Sequence, residues 1–121
     1  MGQTLNVNQM GGKVVKHIVG NSGEPAYQNG WTFYNSPWEK SYFCKTADGV
    51  VTVSIMVKSG TVNGTIFTLP VGYRPAGRVS GAGVQDGQVC VLVDISQDGA
   101  INTEGGNSNG WLAINMSFIA A

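Results

Sequence analysis

A chain of 121 residues, 42% of them hydrophobic, is long enough for one packed domain and too short for two comfortable ones. Charged residues make up only 12%, about half the usual share of soluble proteins, and seven basic residues balance seven acidic ones. Phosphate recognition needs a basic excess on one face, so no nucleic-acid partner is expected; no apolar run approaches the ~20 residues of a spanning helix, so no membrane insertion is expected either.

The zero formal charge also weakens repulsion between copies, which suits an obligate oligomer. Met1 to Gly12 is polar and lacks the apolar centre of a signal peptide, so standard export is not expected. Val14, Val15, Ile18 and Val19 form a short apolar patch, and Gly20 to Gln28 has the composition of a loop. Residues 1–28 are therefore expected to be a neck, with the globular domain running from 29 to 121.

Strand and turn signals then alternate. Aromatic residues open a strand at Trp31 to Tyr34, and Asn35-Ser36-Pro37 breaks it. Tyr42 to Lys45 is short, and Asp48-Gly49 is a strong hairpin signal. The clearest strand follows: Val51, Val53, Ile55 and Val57 point one way, Thr52, Ser54 and Lys58 the other, with Met56 an exception on the polar side.

Asn63-Gly64 marks the next turn, Thr65 to Leu69 a strand, and Gly72-Tyr73-Arg74-Pro75 an irregular corner, because Pro75 biases Arg74 to extended backbone. Val79 to Val84 is interrupted by glycine and ambiguous. Asp86-Gly87 leads into an alternating face of Val89, Val91, Val93 and Ile95. Asp98-Gly99 returns the chain through Ala100 to Asn102, Gly105 to Gly110 is a polar loop, and Trp111 to Ile119 is the last strand. There Leu112, Ile114, Met116 and Phe118 share a face. Seven or eight short strands with glycine turns and no helical period predict an all-β domain, a β-sandwich or jelly roll.

The segment Gly64-Thr65-Ile66-Phe67-Thr68-Leu69-Pro70-Val71-Gly72-Tyr73-Arg74-Pro75 resembles the most recognisable stretch of phage tail-fibre head domains, where a strand ending in Leu-Pro enters a Gly-Tyr-Arg-Pro corner. Asp48-Gly49-Val50-Val51 upstream, Gly110-Trp111-Leu112 leading to Ser117-Phe118 downstream, and the opening Gly30-Trp31-Thr32 match as well. The resemblance implies the C-terminal receptor-binding head of a phage, prophage or tailocin tail fibre. Such heads are homotrimers with a β-sandwich per protomer, attached to other tail or baseplate proteins through the N-terminal side. They recognise saccharides of the host cell wall, often in Gram-positive bacteria. The expected setting is the virion tail, assembled in the host cytoplasm and acting at the host surface. A purely structural decoration or assembly module without its own ligand is the alternative.

Sugar rings stack their C–H faces on aromatic side chains, and tryptophan adds an N–H donor. Trp38, beside Pro37 in a polar loop, is the best-placed candidate, although it could equally cap the core or a subunit interface. Trp31 and Trp111, at strand starts, read first as structural. The candidate ligand-binding set is Tyr34, Asn35, Trp38, Glu39 and Lys40 in one loop, with Asn107, Asn109 and Trp111 around the last. Tyr73 and Arg74 are expected to be structural, Arg74 bonding carbonyls or a carboxylate of a neighbouring subunit.

Catalysis and metal binding have little raw material, and neither an enzyme nor a cofactor is expected. The single histidine, His17, falls in the neck and is expected to be solvated. Asp94-Ile95-Ser96-Gln97-Asp98-Gly99 imitates the start of a calcium loop, but Gly105 stands where a bidentate glutamate is required, so a plain hairpin is expected. Cys44 and Cys90 lie in apolar runs, where free thiols pack as small hydrophobes; a disulfide is not required.

Overall fold

The computed structural model describes residues 14–121. Its elements are β1 (His17–Ile18), β2 (Thr32–Phe33), β3 (Tyr42–Lys45), β4 (Val50–Lys58), β5 (Phe67–Thr68), β6 (Val79–Gln85), β7 (Val89–Ile95), β8 (Ala100–Glu104) and β9 (Leu112–Ile119). The described residues form an all-β domain without helices. All strand pairs are antiparallel, in one sheet of order β1-β3-β4-β9-β6-β7-β8-β5, with β2 extending alongside β4 beyond β3. The sheet curls into a half-barrel. Its two ends approach each other: the Phe43 and Phe67 rings lie 6.1 Å apart, and the Gln28 N–H donates to the Ile66 carbonyl at 2.8 Å.

Strand β4 has strict alternation, every second residue buried, as its valine and isoleucine spacing predicts. Its inward residues Val51, Val53, Ile55 and Val57 stand opposite Phe118, Met116, Ile114 and Leu112 of β9. Each fully buried aliphatic side chain contributes roughly 1.5–3 kcal/mol over exposure, so this double row is the backbone of the core. Val91, Val93, Ile95, Ile101, Phe43, Phe67, Ile66, Leu69, Val19 and Trp31 complete it.

The ambiguity of β6 has a steric origin. Its inward positions are Val79, Gly81, Gly83 and Gln85, so the apolar alternation stops after Val79. A Cβ on Gly81 would stand 2.9 Å from the Met116 sulfur, and one on Gly83 2.9 Å from a Val93 methyl. Side chains from β7 and β9 thus occupy the space that β6 leaves bare. Val84, by contrast, faces outward and is 40% exposed. On β7 the expected face is shortened: Val91, Val93 and Ile95 are buried, whereas Val89 is exposed beside the β6–β7 turn.

The expected neck is partly built into the domain. Residues 1–13 lie outside the described residues, but His17 and Ile18 pair with Phe43 and Tyr42, and Val19 is buried. His17 is correspondingly not solvated. It stacks on Phe43 with centroids 5.1 Å apart, its Nδ1 lies 3.0 Å from Glu24 and its Nε2 3.1 Å from the Tyr73 hydroxyl. An apolar stretch too short to form its own core has joined an existing one. Both cysteines are free; Cys44 is buried as expected, but Cys90 is exposed because it faces outward opposite Val84.

The Gly72–Pro75 corner is pinned from several sides. Arg74 Nε donates to the Leu69 carbonyl of its own chain at 2.8 Å, and Pro75 bridges to Ala120. Gly99 sits against this corner with φ at +89°, where a Cβ would fall 2.4 Å from the Leu69 oxygen. Gly49 has a similar φ of +90° but open space around it. Gly49→Ala should therefore cost only the left-handed backbone strain, about 1–2 kcal/mol. Gly99→Ala should cost roughly 1–3 kcal/mol more through the clash, read by chemical denaturation of the two variants side by side. Equal losses would show that the corner yields freely.

Candidate functional site

The outward face of the central strands carries an apolar row. In register across the sheet stand Met56 of β4, Ala113 of β9, Val84 of β6 and Cys90 of β7. Ala113, the smallest, lies between Met56 and Val84, so the surface dips along β9. Three aromatic residues wall the dip. Tyr34 follows β2, held by its N–H to the Met56 carbonyl at 3.0 Å. Trp38 sits on a turn closed by its N–H to the Asn35 carbonyl at 3.2 Å, and Trp111 precedes β9, its carbonyl accepting from the Asp86 N–H at 2.9 Å. With Gln88 from the β6–β7 turn they enclose an open groove of about 430 Å³.

A second depression of about 160 Å³ adjoins it, lined by Trp38, Glu39, Ser54, Ile55, Met56, Ala113 and Asn115. Trp38, Met56 and Ala113 belong to both hollows, so the Trp38 indole is a shared wall. That indole is 56% exposed, an unusual position for the largest apolar side chain. Glu39 pairs with Lys16, whose ammonium is held above its usual range by that hydrogen bond. The Lys58 ammonium sits over the Tyr34 ring, 5.8 Å from its centroid.

Of the residues expected from sequence, Tyr34, Trp38 and Trp111 converge on the groove and Glu39 on its neighbour. Asn35 and Lys40 are exposed in the same loop but line neither hollow. Asn107 and Asn109 line neither hollow and have other work. Asn107 bonds both ends of the buried Gln85 amide, and Asn109 Nδ2 donates to the Gly60 carbonyl at 2.9 Å. Their polar atoms anchor the last loop to β6 and to the turn after β4. Met56, Val84, Ala113, Gln88, Ser54 and Asn115 went unforeseen. Only Met56 carried a signal in the sequence, as the apolar intruder on the polar face of β4.

No protein-family model matches the chain, and no curated protein matches it.

The calcium-like segment forms the expected hairpin: Gly99 N–H donates to Ser96 at 2.8 Å and Ser96 N–H to Ala100 at 3.1 Å. Asp94, its first residue, is buried and accepts from Ser80 Oγ at 2.5 Å. A hydrogen bond shared with Glu104, then that from Ser80, holds the Asp94 carboxyl below its usual range; the same partnership raises Glu104. Among the described residues no group of three or more His, Cys, Asp or Glu side chains could hold a metal.

The three tryptophans differ sharply in burial. Trp31 is 4% exposed and packs flat on Gly60, where a Cβ would fall 2.0 Å from the ring. Trp31→Ala should cost about 3–5 kcal/mol, as a large core deletion does. Trp38→Ala should stay within about 0.5 kcal/mol of the parent, as an exposed change does. Denaturant titration of both variants checks the pair, and a Trp38 loss above about 2 kcal/mol would place that indole in the core.

Proposed function

We propose that this domain is a carbohydrate-binding head, of the kind borne at the C-terminal end of phage tail fibres, and that the outward groove holds host-envelope saccharide. The observation that carries the reading is the exposed Trp38 indole standing between two hollows, with Tyr34 and Trp111 opposite. Flat aromatic walls around an open, shallow dip suit the C–H faces of sugar rings, while Gln88, Ser54 and Asn115 are placed to bond hydroxyls. The Leu69-Pro70 strand end and the Gly72–Pro75 corner that resemble tail-fibre heads form the pinned corner described above, which supports a framework role for them.

A homotrimer of sandwich-like protomers belongs to the same proposal. Balanced charge and the exposed apolar residues Val89 and Leu92 of β7 support association of copies. Three shallow sites on one head would turn weak single contacts into firm attachment. The N-terminal side would then face other tail or baseplate proteins, with the virion tail as the location.

One observation favours a second reading, a structural virion module without a ligand. The outward row of the groove continues onto β7 at Cys90 with Leu92 two residues on, so the whole strip could be covered by another subunit.

Sedimentation of the purified chain with bacterial cell walls, before and after their polymers are stripped, separates these readings. Binding lost on stripping and lost again in Trp38→Ala is the expected result. Binding retained after stripping points to a protein receptor, and none on any wall points to the structural module.

A further inference from the structure

The two hollows beside Trp38 differ in chemistry, and the difference selects a ligand class. Resting on the reading of the groove as a saccharide site, we infer that it is built for an uncharged oligosaccharide of at least two units, with a methyl-bearing substituent (acetamido or 6-deoxy) of one unit in the larger hollow. The larger hollow is floored by Met56, Ala113 and Val84 and walled by three aromatic rings, with Gln88, the Tyr34 hydroxyl and the indole N–H groups of Trp38 and Trp111 as the polar side-chain groups of its lining residues. A hexose bearing only hydroxyls would leave several of them unpaired against such a floor, whereas a methyl group gains by leaving water.

The smaller hollow has the opposite character. Ser54 and Asn115 face each other across the β4–β9 pair, and their mutual contact, at 3.5 Å, is too long to satisfy either group. Hydroxyl, amide and the Glu39 carboxylate together form a donor–acceptor set for a polyhydroxylated unit. Ser54 and Met56 are two residues apart on one face, so the polar end of the smaller hollow lies about 7 Å, one strand repeat, from the Met56 floor that the two hollows share. That spacing suits consecutive units of one glycan, with Trp38 stacked between them.

Charge narrows the class further. Among the described residues Glu39 is the one ionic side chain lining either hollow, and it is paired with Lys16. The Lys58 ammonium is turned onto the Tyr34 ring, 5.8 Å from its centroid. A polyanion such as a polyol phosphate would meet a carboxylate already paired with Lys16 and, among the described residues, no unpaired cation lining either hollow. Its binding would lack the attraction it needs.

The test is a printed panel of soluble oligosaccharides in three classes, probed with the whole chain: neutral methyl-bearing (acetamido and 6-deoxy), neutral methyl-free, and anionic (polyglycerol phosphate, uronic acids). Binding confined to the first class is expected, with about a fourfold advantage per buried methyl over the matched methyl-free sugar. For a disaccharide that binds, Asn115→Ala should weaken affinity about three- to tenfold while leaving the matching monosaccharide unchanged. Equal binding of methyl-free sugars, salt-sensitive binding of the anionic class, or an Asn115→Ala loss shared by the monosaccharide would overturn this inference and leave the saccharide site standing. Silence across all three classes would remove both.

Discussion

Eight consecutive antiparallel pairs join β4 to β9, and the alternation of side chains along them divides the molecule in two. Inward, Val51, Val53, Ile55 and Val57 meet Leu112, Ile114, Met116 and Phe118. Outward, Thr52, Ser54 and Met56 meet Ser117, Asn115 and Ala113. A slip of one residue would send the valines to solvent and the polar row into the core. The register that makes the core therefore also makes the groove. Neither can be changed along this pair without the other.

The inward glycines of β6 extend the same division. With Gly81 and Gly83 under Met116 and Val93, the middle of β6 approaches the core as bare backbone and presents Val84 outward beside Ala113. An ordinary strand here, with a large residue in place of Gly83, would push against Val93, Ile114 and the Ala113 carbonyl that underlies the groove floor. Packing inside the curl and the depth of the dip outside it are thus coupled through one glycine.

Much of the architecture was legible because it is local. The alternation of β4 and the Asp48-Gly49 and Asp98-Gly99 turns are properties of neighbouring residues, and the structure places strand and turns there. The all-β class followed from them. The groove was legible only in part. Trp38 and Tyr34 stood out as aromatics in a polar loop, but Ala113, Val84 and Asn115 join them through cross-strand register, which no single segment carries. Asn107 and Asn109 misled for the complementary reason: loop asparagines look free until the buried Gln85 amide and the Gly60 carbonyl that engage them come into view. His17 misled likewise, since its partners Glu24, Phe43 and Tyr73 come from three separate parts of the chain.

The central claim is that the outward face of β4, β9 and β6, with the Trp38 loop that walls it and not the loop at 105–110, is where this domain meets its ligand. Mapping amide and indole shifts in nuclear magnetic resonance spectra, as saccharide released from a bound cell wall is added, tests it most directly. The account predicts that the Trp38 indole N–H and the amides of Met56, Ala113 and Asn115 move together while β7 and β8 stay still. Shifts concentrated at 105–110, with Trp38 unmoved, would contradict it.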